Sequence, residues 1–190
     1  ECNIYQRFES NITPHHPMHY NGKHYRTIWP DPHNHERVCI IDQRKLPYDF
    51  IVETITSADR MVAAIKDMHV RGAGLIGAAA GFGMYLAALH APDDSFDASM
   101  SVAAKMFDAS RPTARNLLWA VERILKAMAN AHQPREKRLA AYNAACAIAD
   151  EDAAFCRRIG EHGLQILAKI SRKKNGAPIN IPTHCNAGWL

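Results

Sequence analysis

One stretch of this chain combines residue types suited to holding an anion: Val70-Arg71-Gly72-Ala73-Gly74-Leu75-Ile76-Gly77, followed by Ala78-Ala79-Ala80-Gly81-Phe82-Gly83-Met84. Arg71 offers a planar, permanently charged fork that matches phosphate oxygens. Gly72, Ala73 and Gly74 let a ligand approach the backbone closely. A helix beginning near Ala73 would add free N–H groups at its first turn. A second arginine, Arg111 in Ser110-Arg111-Pro112-Thr113, precedes another apolar-periodic stretch. Proline fits a first helical turn, which would place Arg111 at a helix start. Each has a plainer reading: a packing turn and a solvated charge. For Val70–Gly77, spacing alone favours the packing turn, because short glycine patterns are common.

Composition narrows the function classes. The chain has 190 residues, 47% hydrophobic and 22% charged, with a formal charge of +4. Such a chain builds a sizeable core. Its basic residues are scattered, so a nucleic-acid footprint is not indicated. Cys2, Cys39, Cys146, Cys156 and Cys185 form no C-x-x-C pair and no disulfide framework, so a reducing cytoplasm is the default. No apolar run reads as membrane-spanning. His15, His16, His19, His33 and His35 lack supporting carboxylates or cysteines at ligand spacing and read as surface histidines.

The elements that must position these residues follow in order. Residues 1–23 read as an irregular extension. His24–Trp29 and Arg37–Asp42 read as a hairpin across Pro30-Asp31-Pro32-His33-Asn34-His35, with Phe50–Ile55 as a third strand. Ser57-Ala58-Asp59 opens a helix carrying Met61, Val62, Ile65 and Met68. Residues 73–90 read as a buried central helix, and helical patterns continue over 93–109 and 116–129. Pro134–Ala149 and Asp150–Ile170 read as two long helices, the second opened by Asp150-Glu151-Asp152 and closed before Arg172-Lys173-Lys174-Asn175-Gly176. Ala177–Gly188 reads as a strand running into a glycine-containing loop, the way an open α/β domain delivers residues to a site.

In their order, several of these pieces resemble the methylthioribose-1-phosphate isomerase family, which is shared with the regulatory subunits of translation initiation factor 2B. The matching pieces are Arg26-Thr27-Ile28-Trp29, Ile41-Asp42-Gln43-Arg44-Lys45-Leu46-Pro47, Met68–Ala73, Arg111–Leu117, Glu151-Asp152, Arg158–Gly163 and Thr183–Gly188. The resemblance implies an α+β fold over 24–176, a small antiparallel sheet with a helical bundle. Residues 177–190 would then begin a Rossmann-like domain whose remainder is absent. It implies a homodimeric aldose–ketose isomerase of a sugar 1-phosphate that uses no metal or cofactor. Arg71, Gly72, Ala73 and Arg111 would bind substrate, and Cys185 would be catalytic. The family's catalytic aspartate lies beyond Leu190, so the fragment alone should not turn over substrate. The family commonly has Pro-Ala after Arg-Gly-Ala, where this chain has Gly74-Leu75, and Trp189 replaces a usual small residue. Both departures leave isomerases of related sugar phosphates (ribose 1,5-bisphosphate or a deoxyribose phosphate) as alternatives. The other alternative is a non-catalytic regulatory subunit binding partner proteins or a sugar-phosphate effector, against which the intact Arg71-Gly72-Ala73 and Cys185 favour the enzyme. Glu161-His162 and His184 read as structural or surface positions.

Overall fold

The computed structural model describes residues 19–182 and 184, and they separate into two units. The larger unit, Arg26–Asp152, is α+β. Its sheet is antiparallel, with β4 (Val38–Ile41) between β3 (Ile28–Pro30) and β5 (Val52–Ile55). Register places Ile28 opposite Ile40 and Val38 opposite Ile55. Those four side chains are buried on one face of the sheet, as the two-residue alternation of strands requires. Glu53 pairs with Ile40 and so lies on that same face. A carboxylate there needs a partner, and it finds one in His69.

Helix α1 (Ala58–Lys66) starts where Ser57 accepts the Arg60 N–H, and it buries Met61, Ala64 and Ile65. Helix α2 (Ala73–His90) has no polar face; Leu75 to Leu86 are buried without interruption. It is long and apolar enough to cross a membrane, but 72% of it is buried inside the protein, which identifies a core helix. Small residues let its neighbours come close. A Cβ at Gly77 would lie 3.0 Å from the Asn116 carbonyl, and one at Gly81 would lie 3.2 Å from Ile148. Around α2 pack α1, α3 (Phe96–Ser110) and α4 (Arg115–Met128), with a 3-10 turn at Asp93–Ser95 leading into α3. Phe82, Phe107, Leu117 and Ile124 fill the space between them.

Three sequence expectations are corrected. Pro134–Lys173 is one helix of 40 residues, α5, rather than two. The acidic Asp150 and Glu151 do not cap a new helix start; they pair with Arg26 and Arg123 from elsewhere in the unit. No proline or glycine interrupts residues 135–159, so nothing local breaks the helix. Second, Pro112 is not in the first turn of α4. It forces Arg111 into an extended conformation (φ −149, ψ 82) that ends α3. A turn closed by the Ala114 N–H on the Arg111 carbonyl then leads to α4. Third, residues 19–23 of the expected extension, with His24 of the expected first strand, form a hairpin, β1 (His19–Tyr20) with β2 (Lys23–His24). Asn21 and Gly22 have φ of 50 and 77, the signature of an Asn-Gly turn.

The smaller unit comprises the described residues of Glu1–Tyr25 and Ala153–Leu190, including the distal part of α5. Residues 177–182, expected to run as a strand, are in no strand. Thr183 and residues 185–190, including Cys185 and Trp189, lie outside the described residues.

Candidate functional site

The first turn of α2 leaves its N–H groups without a side-chain cap and is preceded by an arginine. Gly72 is its N-cap residue with φ 91 and ψ 138, a conformation that disfavours any side chain. No side chain caps the helix, and no acidic residue stands in its first turn. Its leading N–H groups are therefore uncompensated by protein charge from that turn. Arg71 precedes Gly72, is half-buried, and has a buried Nε without a hydrogen-bond partner. Such a donor is costly to leave unpaired unless a ligand takes it. Ala73 is exposed, so the helix start is open.

The sheet holds this turn in place. The Gln43 N–H donates to the His69 carbonyl at 2.9 Å, and the His69 N–H donates to the Ala64 carbonyl at 2.9 Å. The His69 ring nitrogen Nδ1 lies 2.6 Å from Glu53, and Val70 is fully buried. Residues 69 and 70 are thus fixed from both sides, and Arg71 leaves the core from a rigid base. None of these partners was evident from the sequence, because Glu53 and Gln43 belong to other elements.

Asp42, Glu53 and His69 bring three ligand atoms within 4.8 Å of one another, the geometry of a possible metal centre. Each is already committed. The Arg44 fork takes both Asp42 oxygens at 2.9 and 2.8 Å, while Glu53 serves His69 and, at 3.5 Å, Arg60. The cluster is an ion-pair network. Among the other histidines, His35 stacks on Tyr142 with centroids 5.0 Å apart and His19 packs on His24 at 5.9 Å. His15 and His16 lie outside the described residues.

The Arg44 hydrogen bonds hold the Asp42 carboxyl below its ordinary range, and the Arg123 pair does the same for Glu151. A carboxyl depressed in the fold adds stability that is complete above its unfolded value, about 4. That stability is lost as pH falls through the depressed folded value. Thermal midpoints should therefore hold level from neutral pH to about 5 and drop below about 4. Asp42→Asn should flatten the acid limb, as measured by circular dichroism melting.

Of the candidate residues, the structure places Arg71, Gly72 and Ala73 in one turn. Asn116, the second residue of α4, lies against Gly77 one turn into α2. Arg111 itself is half-buried and stands at the end of α3, not at the start of a helix. The thiols of Cys39 and Cys146 are pushed up by burial and are poor nucleophiles.

Comparison with known proteins places this site in context. The chain is 45% identical over 173 residues to the methylthioribose-1-phosphate isomerase of Methylorubrum extorquens, covering 91% of this chain and 46% of that protein. The crystal structure of 5-methylthioribose 1-phosphate isomerase from Pyrococcus horikoshii OT3 superposes with a TM-score of 0.68 at 36% identity. That match covers 74% of this chain and 40% of the other. The delta subunit of translation initiation factor eIF-2B from A. fulgidus matches with a TM-score of 0.62 at 33% identity, covering 67% of this chain and 37% of the other. The chain thus spans about half the length of the curated relatives it matches. A profile of the Initiation factor 2 subunit family matches residues 69–190, from the His69 anchor through the Arg71 turn to the last residue, and the chain belongs to that family.

Proposed function

We propose that this chain carries the phosphate-holding part of an aldose–ketose isomerase that converts 5-methylthioribose 1-phosphate to 5-methylthioribulose 1-phosphate. The observation that carries the proposal is the Arg71–Ala73 turn, where an unpartnered buried guanidinium nitrogen precedes an uncapped helix start. Likeness to relatives named as that isomerase supports the choice of substrate. In this reading Arg71 and the Gly72 and Ala73 backbone hold the phosphate, and Arg111 adds a second contact. Phosphate on the anomeric oxygen blocks simple ring opening, so the site must open the ring with the ester intact. Hydrogen then moves from C2 to C1, by proton transfer through an enediol or by a direct hydride shift. Cys185 stabilises or delivers charge at those carbons. Fixing the phosphate converts this into a positioned, effectively unimolecular step.

The same reading assigns 24–176 to an N-terminal domain and 177–190 to the start of a Rossmann-like one. It makes the enzyme a cytoplasmic homodimer without cofactor, nucleic-acid or membrane partners. The test is turnover of 5-methylthioribose 1-phosphate, ribose 1,5-bisphosphate and a deoxyribose phosphate by the protein as its own gene produces it, beside Cys185→Ser. Activity on the first, lost in the variant, is expected. Unchanged turnover in the variant removes Cys185 from the chemistry. The likeness to the eIF-2B delta subunit favours a second reading, a non-catalytic subunit that binds a sugar-phosphate effector. Binding without turnover of any of the three sugars would select it.

A further inference from the structure

The acidic run near the middle of α5 is not uniform. Asp150 is paired with Arg26, and Glu151 meets Arg123 at 2.5 and 2.6 Å. Asp152 makes no hydrogen bond or ion pair among the described residues. Its carboxyl group instead sits against the first turn of α2. A Cβ added at Gly74 would lie 1.9 Å from Asp152 Oδ1 and 2.6 Å from Oδ2, so only glycine at position 74 admits this group. The departure Gly74, which loosens the loop in sequence terms, therefore has a steric partner 78 positions away in α5.

We propose that Asp152 is the hydrogen-bond-donating member of the anion site, its protonated carboxyl O–H donating to an oxygen of the phosphate group held by Arg71, Gly72 and Ala73. The proposal rests on the reading of that turn as a phosphate site. An ionised carboxyl beside a bound dianion repels it, whereas a protonated one offers an O–H donor. Burial already pushes the Asp152 carboxyl above its ordinary range, with Arg26 opposing. Arg26, ahead of β3, is the charge that acts on it, and the two acids beside it on α5 are ion-paired. Arg71 precedes the turn it packs against, and His69 is paired with Glu53.

Inorganic sulfate is the probe, because its charge does not change between pH 5 and 8. Calorimetric titration of the natively produced protein should show affinity falling as pH rises, by up to tenfold per unit where Asp152 loses its proton. Asp152→Asn, nearly isosteric, should bind sulfate with little pH dependence and at least as tightly at pH 8. Gly74→Ala, which expels the carboxyl from its place, should lose the same dependence with Asp152 intact. An unchanged pH slope in both variants would overturn the assignment. If Arg71→Ala binds sulfate as the wild type does, the sulfate is an adventitious ion only, and the phosphate-site reading fails along with the proposal.

Discussion

Arg71→Ala should weaken binding of a phosphate ester by about 3 kcal/mol, a loss on the order of 100-fold in affinity. Calorimetric titration with a sugar phosphate reads this directly. The size follows from the state of the side chain before ligand arrives. Its Nε is already out of water and unpartnered, so part of the desolvation cost is borne by the fold. Ligand binding then gains a charge-assisted hydrogen bond with little new penalty. Arg71→Lys keeps the charge but loses the fork, and should recover only part of the affinity. Gly72→Ala should cost less than Arg71→Ala, because it strains φ 91 by about 1–3 kcal/mol but leaves the guanidinium in place. If Arg71→Lys binds as tightly as the wild type, the site recognises charge alone. If Gly72→Ala proves the worse variant, the backbone rather than the arginine dominates.

How far the site was legible in sequence depends on the range of the interactions that build it. Arg71, Gly72 and Ala73 are contiguous, and both the glycine run and the onset of apolar residues mark the helix start. Helix α1 was equally legible from Ser57, and α2 from its unbroken apolar character. The supporting residues were not. Gln43, Glu53 and Asp152 reach the same turn from a strand end, a neighbouring strand and the middle of α5, and no local pattern links them. The same cause explains the division of α5. Acidic residues at 150–152 resemble a helix start in isolation, yet Arg26 and Arg123 neutralise two of them from afar. The β1–β2 hairpin is a different matter. Asn21-Gly22 announced it in the sequence, and the surrounding prolines and histidines obscured the signal.

Phe107→Ala should cost about 4 kcal/mol of unfolding free energy and Gly83→Ala about 2, yet the two together should cost clearly less than their sum. The reason is a single contact between α2 and α3. A Cβ at Gly83 would lie 2.2 Å from Phe107 Cζ, 2.7 Å from Cε1 and 3.0 Å from Met61 Cγ. Phe107, Met61 and Phe82 are all fully buried, so the ring has no free space to yield into. Gly83→Ala must therefore shift the ring off its rotamer or push the helices apart. Removing the ring opens a cavity at the same point, and the new methyl group enters it. Chemical denaturation of the four proteins of this cycle should give a coupling of about 1 kcal/mol or more in favour of the double variant. Strict additivity would mean that the ring relaxes freely when Gly83 is substituted. The helix start that carries Arg71 would then depend on this packing less than the close α2–α3 approach implies. An equal loss of sulfate affinity in Gly83→Ala and Phe107→Ala, with Gly72 and Arg71 untouched, would instead show that the core sets the aim of the turn.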